Sequence, residues 1–168
     1  MGAQQDPDAE LMLRVKRGDA SAFEELVNKY KQPVINLIYR TIHDLDEAED
    51  LAQNVFVQVY RSADRYQATA KFTTWLFTIT RNLCLNEIRR RSRHRAESLE
   101  ATLSEDDEHS PRQIEDVKAA MPTDEILEGE LEEKIQEALR ELPENQRTAI
   151  LLCRQDELSY EDIAKVLG

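Results

Sequence analysis

Apolar residues recur at steps of three and four along most of this 168-residue chain. That period places side chains on one face of an α-helix. The predicted helices begin near residues 9, 21, 44, 72, 123, 144 and 160. No segment alternates apolar and polar residues between turn signals, as a half-buried β-strand does. The predicted fold class is therefore all-α.

Sequences typical of helix caps support four of these starts. They are Ser21–Glu24, Asp44 with Glu47, Thr123 and Ser159–Asp162. Pro33 falls inside the second helix and predicts a kink or a restart there, because proline removes a backbone donor.

The helical period is lost between residues 96 and 122, where the sequence is acidic and contains Pro111 and Pro122. A segment this polar buries too little apolar surface to offset the entropy of ordering. We therefore expect a flexible acidic linker between two helical domains, 1–95 and 123–168. The second domain ends in a short helix closed by Gly168, which is how a helix-turn-helix begins, and its recognition helix is absent from this sequence.

Residues 71–95 combine an aromatic cluster with a run of arginines. The predicted inward stripe, at the three- and four-residue steps of one helical face, is Phe72, Trp75, Leu76, Ile79 and Leu83. The second half has six arginines and a single acid, Glu87, for a local charge of +5. Guanidinium groups neutralise phosphates, and aromatic faces stack on unpaired bases. The pattern favours a nucleic-acid contact. The alternatives are that the aromatic residues belong to the core and that the arginines form a solvated helix end.

The distribution of charge supports this interpretation although the net charge is −12. Residues 1–95 carry 15 basic and 13 acidic groups, whereas residues 96–168 carry 7 basic and 21 acidic ones. The N-terminal part is thus weakly positive and the C-terminal part strongly negative. A tethered acidic segment competes with phosphate for the same cations and so weakens indiscriminate DNA binding.

Other function classes lack support in the sequence. No apolar run approaches the ~20 residues of a membrane span, and the N-terminus has no apolar signal region, so we expect a cytoplasmic protein. Cys84 and Cys153 lie far apart and are expected to be core residues in a reducing compartment. We find no phosphate-binding glycine loop, metal-ligand grid or activated nucleophile, and predict neither enzymatic activity nor a cofactor.

Three motifs in this order resemble bacterial RNA polymerase sigma factors of the extracytoplasmic-function (ECF) group. D-E-A-E-D-L-A-Q-N-V-F-V-Q-V-Y at Asp46–Tyr60 resembles region 2.2 of that family. F-T-T-W-L-F-T-I-T-R-N at Phe72–Asn82, followed by N-E-I-R-R-R, resembles regions 2.3 and 2.4. L-P-E-N-Q-R-T-A-I-L-L-C at Leu142–Cys153, with L-S-Y-E-D-I-A-K-V-L-G, resembles region 4. The implied function is that of a transcription initiation factor that binds core RNA polymerase, selects promoters and helps to open the −10 element.

The resemblance implies a docking surface for the clamp helices of the polymerase's largest subunit. On this chain the corresponding residues are Asp46, Glu49, Asp50, Gln53 and Phe56. Asn54 departs from relatives that have an acid at this position, which removes one charge from the contact. From the sequence alone, a merely solvated ridge is an equally good explanation.

The resemblance also implies that the loop Asp64–Ala70 and the helix from Phe72 hold the non-template strand of the −10 element, with one base taken out of the stack. The residues implied at the opened strand or just upstream of it are Tyr66, Gln67, Phe72, Thr73, Trp75, Asn82, Asn86, Arg89, Arg90 and Arg91. In the family the C-terminal module contacts the −35 element and the polymerase flap. Without its recognition helix, the sequence as given is not expected to read the −35 element. The resemblance also implies that an anti-sigma factor would cover the docking surfaces.

Two other functions remain open at this point. One is a stand-alone helix-turn-helix regulator that binds duplex DNA without polymerase. The other is an acidic helical adaptor whose arginines serve solubility or partner docking. The acidic helix-turn-helix half and the position of the basic patch outside it argue against the first.

Overall fold

The computed structural model describes residues 6–102, 123–154 and 158–168. Across these ranges the chain forms α-helices and one 3-10 turn, Ala63–Arg65, without a β-strand, which confirms the all-α prediction. The helices are α1 Pro7–Lys16, α2 Ala20–Ile42, α3 Leu45–Arg61, α4 Phe72–Thr102, α5 Thr123–Glu141, α6 Glu144–Cys153 and α7 Tyr160–Leu167.

Of the four predicted caps, two are confirmed and one is wrong, while the side chain of Thr123 lies outside what the structure describes. Asp44 caps α3 by accepting from the Glu47 amide, and Ser159 with Asp162 forms a complete capping box on α7. The second helix is capped by Asp19 instead of Ser21, because the Asp19 carboxylate accepts from the amides of Ser21 and Ala22.

Asp19 also pairs with Arg14 at 2.7 Å and so ties α1 to α2. Hydrogen bonds from Ser21, then those from Arg14 and Ala22, lower the pKa of Asp19 to about 2.

The predicted restart at Pro33 is wrong, because α2 runs through this residue as one helix from Ala20 to Ile42. Proline deletes one intrahelical hydrogen bond. The turn that follows it is buried, at Val34, Ile35, Leu37 and Ile38, so packing offsets the missing bond. The helix ends at His43, whose backbone is left-handed (φ 57°) and whose amide donates to the Tyr39 carbonyl.

The chain divides into two compact units, one made of Met1–Ile88 with Pro143–Gly168 and the other of Arg89–Leu142. This division groups α6 and α7 with the N-terminal helices, whereas the predicted domains follow the order of the sequence. Helix α4 continues to Thr102, beyond the start of the expected linker at residue 96. Residues 103–122, the rest of that linker, lie outside the described residues.

The core of the first unit is formed by apolar faces of α1, α2, α3 and the first half of α4. Its fully buried side chains include Met12, Leu26, Ile38, Val55 and Phe77. Burying a side chain of this size contributes about 1.5–3 kcal/mol relative to leaving it exposed.

The buried stripe of α4 differs from the predicted one. Phe72 and Leu76 are buried as expected, but Ile79 and Leu83 are half-buried while Phe77, Thr80 and Cys84 lie inside. Threonine fits this stripe because its hydroxyl can bond within the helix, as Thr80 Oγ1 does to the Leu76 carbonyl. Such a position has no apolar signal in the sequence.

Helices α6 and α7 contribute a smaller apolar cluster to the same unit, with Leu151, Leu152, Ile163 and Val166 buried. Cys153, next to this cluster, is exposed, so its predicted core position is wrong. Cys84 is buried as predicted. This burial and, to a smaller extent, the nearby Glu144 carboxylate raise the pKa of its thiol to about 12. Among the described residues, none of the helices is long and apolar enough to span a membrane.

Candidate polymerase and nucleic-acid interfaces

The polar ridge predicted on α3 is exposed. Asp46, Glu49, Asp50 and Gln53 all face solvent, while the opposite face of the helix buries Ala48, Leu51, Val55 and Val59. Phe56 differs from the other predicted docking residues because it is only 8% exposed. The side chains available on the ridge are therefore three carboxylates and one amide.

An apolar groove of about 650 Å³ lies beside this ridge, between α2 and α3. Three of the predicted docking residues line this groove: Glu49, Gln53 and Phe56. The remaining lining residues are Phe23, Val27, Lys31, Ile35, Ala52, Val57, Tyr60 and Arg61. Sequence analysis missed this groove, although Val57 and Tyr60, apolar side chains outside the buried period of α3, were a signal of it.

The loop predicted to hold DNA, Asp64–Ala70, is exposed except at Tyr66. Gln67, Ala68, Thr69 and Ala70 face solvent, whereas Tyr66 is 2% exposed. The 3-10 turn Ala63–Arg65 overlaps the start of this loop.

The aromatic residues of this region form a cluster. Tyr66 contacts Trp75 with ring centroids 4.9 Å apart, and Phe72 contacts Trp75 at 6.1 Å and Tyr30 at 5.5 Å. Burial, with smaller effects of the nearby carboxylates of Asp6 and Asp8, raises the pKa of Tyr66 to about 12. The cluster is a piece of the core that reaches the surface next to the loop.

The predicted DNA contacts in this region are unequally accessible. Gln67 is exposed and Trp75 is half-buried, while Tyr66, Phe72 and Thr73 are buried. In this conformation the last three side chains support the loop, and a contact between them and a base would require the cluster to open. Their DNA contact therefore stays a prediction.

Further along α4, the polar residues predicted to face DNA are accessible. Asn82 and Asn86 are exposed in the first unit. Arg89 and Arg90 are exposed and Arg91 is half-buried, in the part of the helix assigned to the second unit. Amide and guanidinium groups of this kind can bond bases and phosphates.

Side chains of α6 and α7 contact two basic residues of the segment 71–95, Lys71 and Arg81. The Lys71 ammonium lies 3.2 Å from the Asp162 carboxylate. Arg81 donates to the Asn145 side chain at 2.8 Å and lies 3.6 Å from Glu144. Arg81, which sequence analysis counted among the DNA-directed arginines, thus has protein partners in this conformation.

The charge on Asp162 is stabilised where it contacts Lys71. Burial alone would raise the pKa of this carboxyl, but hydrogen bonds from Ser159 and the contact with Lys71 lower it overall. No group of three His, Cys, Asp or Glu side chains that could hold a metal ion occurs within residues 6–102, 123–154 and 158–168.

Comparison with protein families gives two matches in chain order. Residues 26–94 match the model of Sigma-70 region 2, and residues 132–168 match that of Sigma-70, region 4. Two solved structures share the fold. One is CnrH in complex with the cytosolic domain of CnrY, at TM-score 0.66 and 20% identity, covering 97% of this chain and 84% of that chain. The other is the sigma factor RpoE with the anti-sigma factor NepR from Bartonella quintana, at TM-score 0.55 and 23% identity, covering 87% and 82%.

Curated relatives extend over nearly the whole chain. The RNA polymerase sigma-H factor of Pseudomonas aeruginosa is 38% identical over 167 residues, which cover 97% of this chain and 83% of that protein. The ECF RNA polymerase sigma factor SigW of Bacillus subtilis is 34% identical over 155 residues, covering 92% and 82%. With both region models matched in order, these relatives show that the chain belongs to the ECF sigma factors of the sigma-70 family, the transcription initiation factors that bring core RNA polymerase to promoters.

Proposed function

We propose that this sigma factor docks on the clamp helices of core RNA polymerase through the α3 ridge, defined as Asp46, Glu49, Asp50 and Gln53, and the groove beside it. The observation that supports this proposal is an exposed row of acidic and amide groups along an apolar groove of about 650 Å³. A partner helix with an apolar stripe and flanking basic residues would satisfy both surfaces. Apolar burial would supply affinity, and the charges would set orientation and association rate.

Phe56 has a different role in this proposal from that of the ridge. Its ring lines the groove and is largely buried, so it shapes the floor on which a partner side chain packs. Exposed Tyr60 continues the same wall. Together they would form the apolar centre of the contact, surrounded by the charged ridge.

We further propose that the loop Asp64–Ala70 and helix α4 hold the non-template strand of the −10 element. Gln67 is exposed to meet a base, Trp75 offers a half-buried aromatic surface, and Asn82, Asn86 and Arg89 are exposed along α4. An extruded base costs a few kcal/mol of unstacking, which its pocket contacts must offset. Tyr66, Phe72 and Thr73 would act from beneath as the floor of this site.

The same surfaces are also the proposed binding site of a protein partner other than polymerase. CnrH and RpoE, which share this fold, were solved with CnrY and with the anti-sigma factor NepR, respectively. We propose that an anti-sigma protein covers the α3 ridge and its groove in this protein as well. We also propose that the C-terminal helices contact the polymerase flap.

The docking proposal is tested by reversing the charge of two ridge residues. We expect Glu49→Lys with Asp50→Lys to weaken binding to purified core RNA polymerase by roughly tenfold or more, because repulsion replaces attraction at the contact. Both side chains are exposed, so the fold should persist. Affinity is measured by fluorescence anisotropy of the labelled full chain, with circular dichroism as the check on folding.

Glu10→Lys is the matched control for each ridge residue reversed singly, since Glu10 is also exposed and acidic but lies on α1. Its affinity for core polymerase should equal that of the wild type. Equal affinity of the double ridge variant would remove the docking assignment, whereas equal losses in ridge and control variants would indicate a nonspecific effect of net charge.

A further inference from the structure

Helix α1 contacts both ends of the exposed segment proposed to hold DNA. At one end, Lys16 Nζ donates to the backbone carbonyl of Tyr66 at 2.9 Å. At the other end, Asp6 Oδ2 accepts from the backbone amide of Phe72 at 2.7 Å. Between these points residues 67–71 are all exposed. The segment is thus held at its two ends by side chains that are 50 and 66 positions away in sequence.

Asp6 caps two helices with one carboxylate. Its Oδ1 accepts from the Asp8 amide at the start of α1, at 3.0 Å, while its Oδ2 accepts from the first residue of α4. The first amides of a helix have no intrahelical partner, so each cap satisfies a donor that would otherwise need water. Because both bonds share one side chain, the start of α4 is held at a fixed place relative to α1.

Helix α1 is itself anchored to the body of the first unit. The buried carboxylate of Asp8 accepts from Lys29 Nζ at 2.6 Å and from the Tyr30 hydroxyl, both on α2. The Tyr30 ring in turn contacts Phe72. The support of the segment therefore continues from α2 through α1 to the first turn of α4.

We infer that α1 acts as a brace that holds residues 67–71 in the conformation in which they bind DNA, with Asp6 and Lys16 as positioning residues. This inference rests on the proposed DNA-binding function of the loop. A segment already ordered in the free protein loses less entropy on binding than a mobile one, and so binds more tightly with the same contacts. Neither side chain needs to touch the DNA for this effect.

The test uses substitutions in the full chain and one defined probe. A single-stranded DNA of twelve nucleotides is first selected from a randomised pool by the wild-type chain with core polymerase. Its affinity for the chain, with and without core polymerase, is then measured by fluorescence anisotropy. We expect Lys16→Met and Asp6→Ala each to weaken strand binding by about tenfold, with binding of core polymerase itself unchanged.

Conservative variants separate positioning from a general structural role. Lys16→Arg keeps a cationic donor and should restore most of the affinity. Asp6→Asn has a single carbonyl oxygen and can replace only one of the two accepted bonds, so an intermediate loss is expected. Hydrogen exchange at the Phe72 amide should speed up in Asp6→Ala and not in Lys16→Met, because only Asp6 accepts from that amide.

Asp19→Ala is the matched control, because Asp19 also caps a helix and pairs with a side chain of α1 but does not contact the loop. It should lower stability while leaving strand affinity unchanged. If the wild type binds the selected strand and both Lys16→Met and Asp6→Ala bind it equally well, the brace is overturned and the proposed function stands. If the wild-type chain with core polymerase selects no strand, the DNA-binding proposal and the brace both fail.

Discussion

The α3 ridge and the 64–70 loop are the two predicted contact surfaces of this sigma factor, and they differ in how the protein builds them. The ridge is one face of a regular helix, and all four of its polar residues are exposed as the helical period indicates. At the loop, three of the five residues predicted to meet DNA, Tyr66, Phe72 and Thr73, are buried. Exposure on a helix follows from its register, whereas exposure at a loop depends on which distant elements cover it.

The difference implies different responses to mutation. The ridge residues are exposed and contribute little to the core, so we expect their substitution to change binding alone. Buried residues beside the loop, such as Phe72 at the start of α4, are part of the core, so their substitution should change stability first. The following substitutions test this separation, from the largest expected effect to the smallest.

Phe72→Ala should cause the largest loss of stability. The ring is fully buried and contacts Tyr30, Tyr66 and Trp75, so its removal leaves a cavity that costs about 3–5 kcal/mol. The free energy of unfolding is measured by urea titration of the full chain. Gln67→Ala, at an exposed loop position, should change it by less than about 0.5 kcal/mol.

The opposite pattern would break the comparison. If Phe72→Ala were as stable as the wild type but bound the selected strand poorly, the ring would be a direct DNA contact and the two surfaces would be built alike.

Asp162→Ala should have an intermediate effect. It removes the capping box of α7 and the contact with Lys71, the residue that follows the loop. The expected cost is about 1 kcal/mol in urea unfolding at neutral pH. Glu161→Ala, which removes only the exposed pair with Lys165, is the control and should cost about 0.3–0.5 kcal/mol or less.

The same variant gives a pH test. Because the pKa of Asp162 is lowered in the folded protein, its stabilisation is present above the ordinary value of 3.8 and is lost as the pH falls below it. The stability difference between wild type and Asp162→Ala should therefore shrink on acidification below about pH 4. A constant difference would show that the carboxylate charge contributes nothing.

Arg89→Ala should have the smallest effect on strand affinity at low salt, and it should change how that affinity depends on salt. The slope of log affinity against log salt is negative. If Arg89 neutralises one phosphate, its loss makes this slope shallower by about 0.7 for single-stranded DNA. Anisotropy at several KCl concentrations measures this slope. Arg17→Ala, an exposed arginine on the C-cap of α1, should leave the slope unchanged; equal slopes in both variants would remove Arg89 from the contact.

Family membership also decides between the functions that the sequence left open. A stand-alone regulator or an acidic adaptor would not account for matches to both sigma regions in order.

Particular residues show why sequence analysis succeeded or failed. Asp44 and Ser159 were identified as caps because the signal lies within four residues. Asp19 was missed because a competing serine two positions later has an equally good local pattern. Pro33 was assigned a kink or a restart, and the restart is wrong because the local rule ignores the burial of the turn after the proline. Cys153 was assigned to the core because apolar neighbours do not determine which way one side chain points.

The sequence by itself determined the helical fold class, the order of the two sigma regions and the exposed ridge of α3. Each depends on residues within a few turns of one another, where period and capping chemistry act. Only the tertiary structure decided that Tyr66 and Phe72 are buried, that a groove lies beside the ridge, and that Lys16 and Asp6 bond the two residues that flank segment 67–71. These features join residues far apart along the chain, and their geometry arises only when the helices pack.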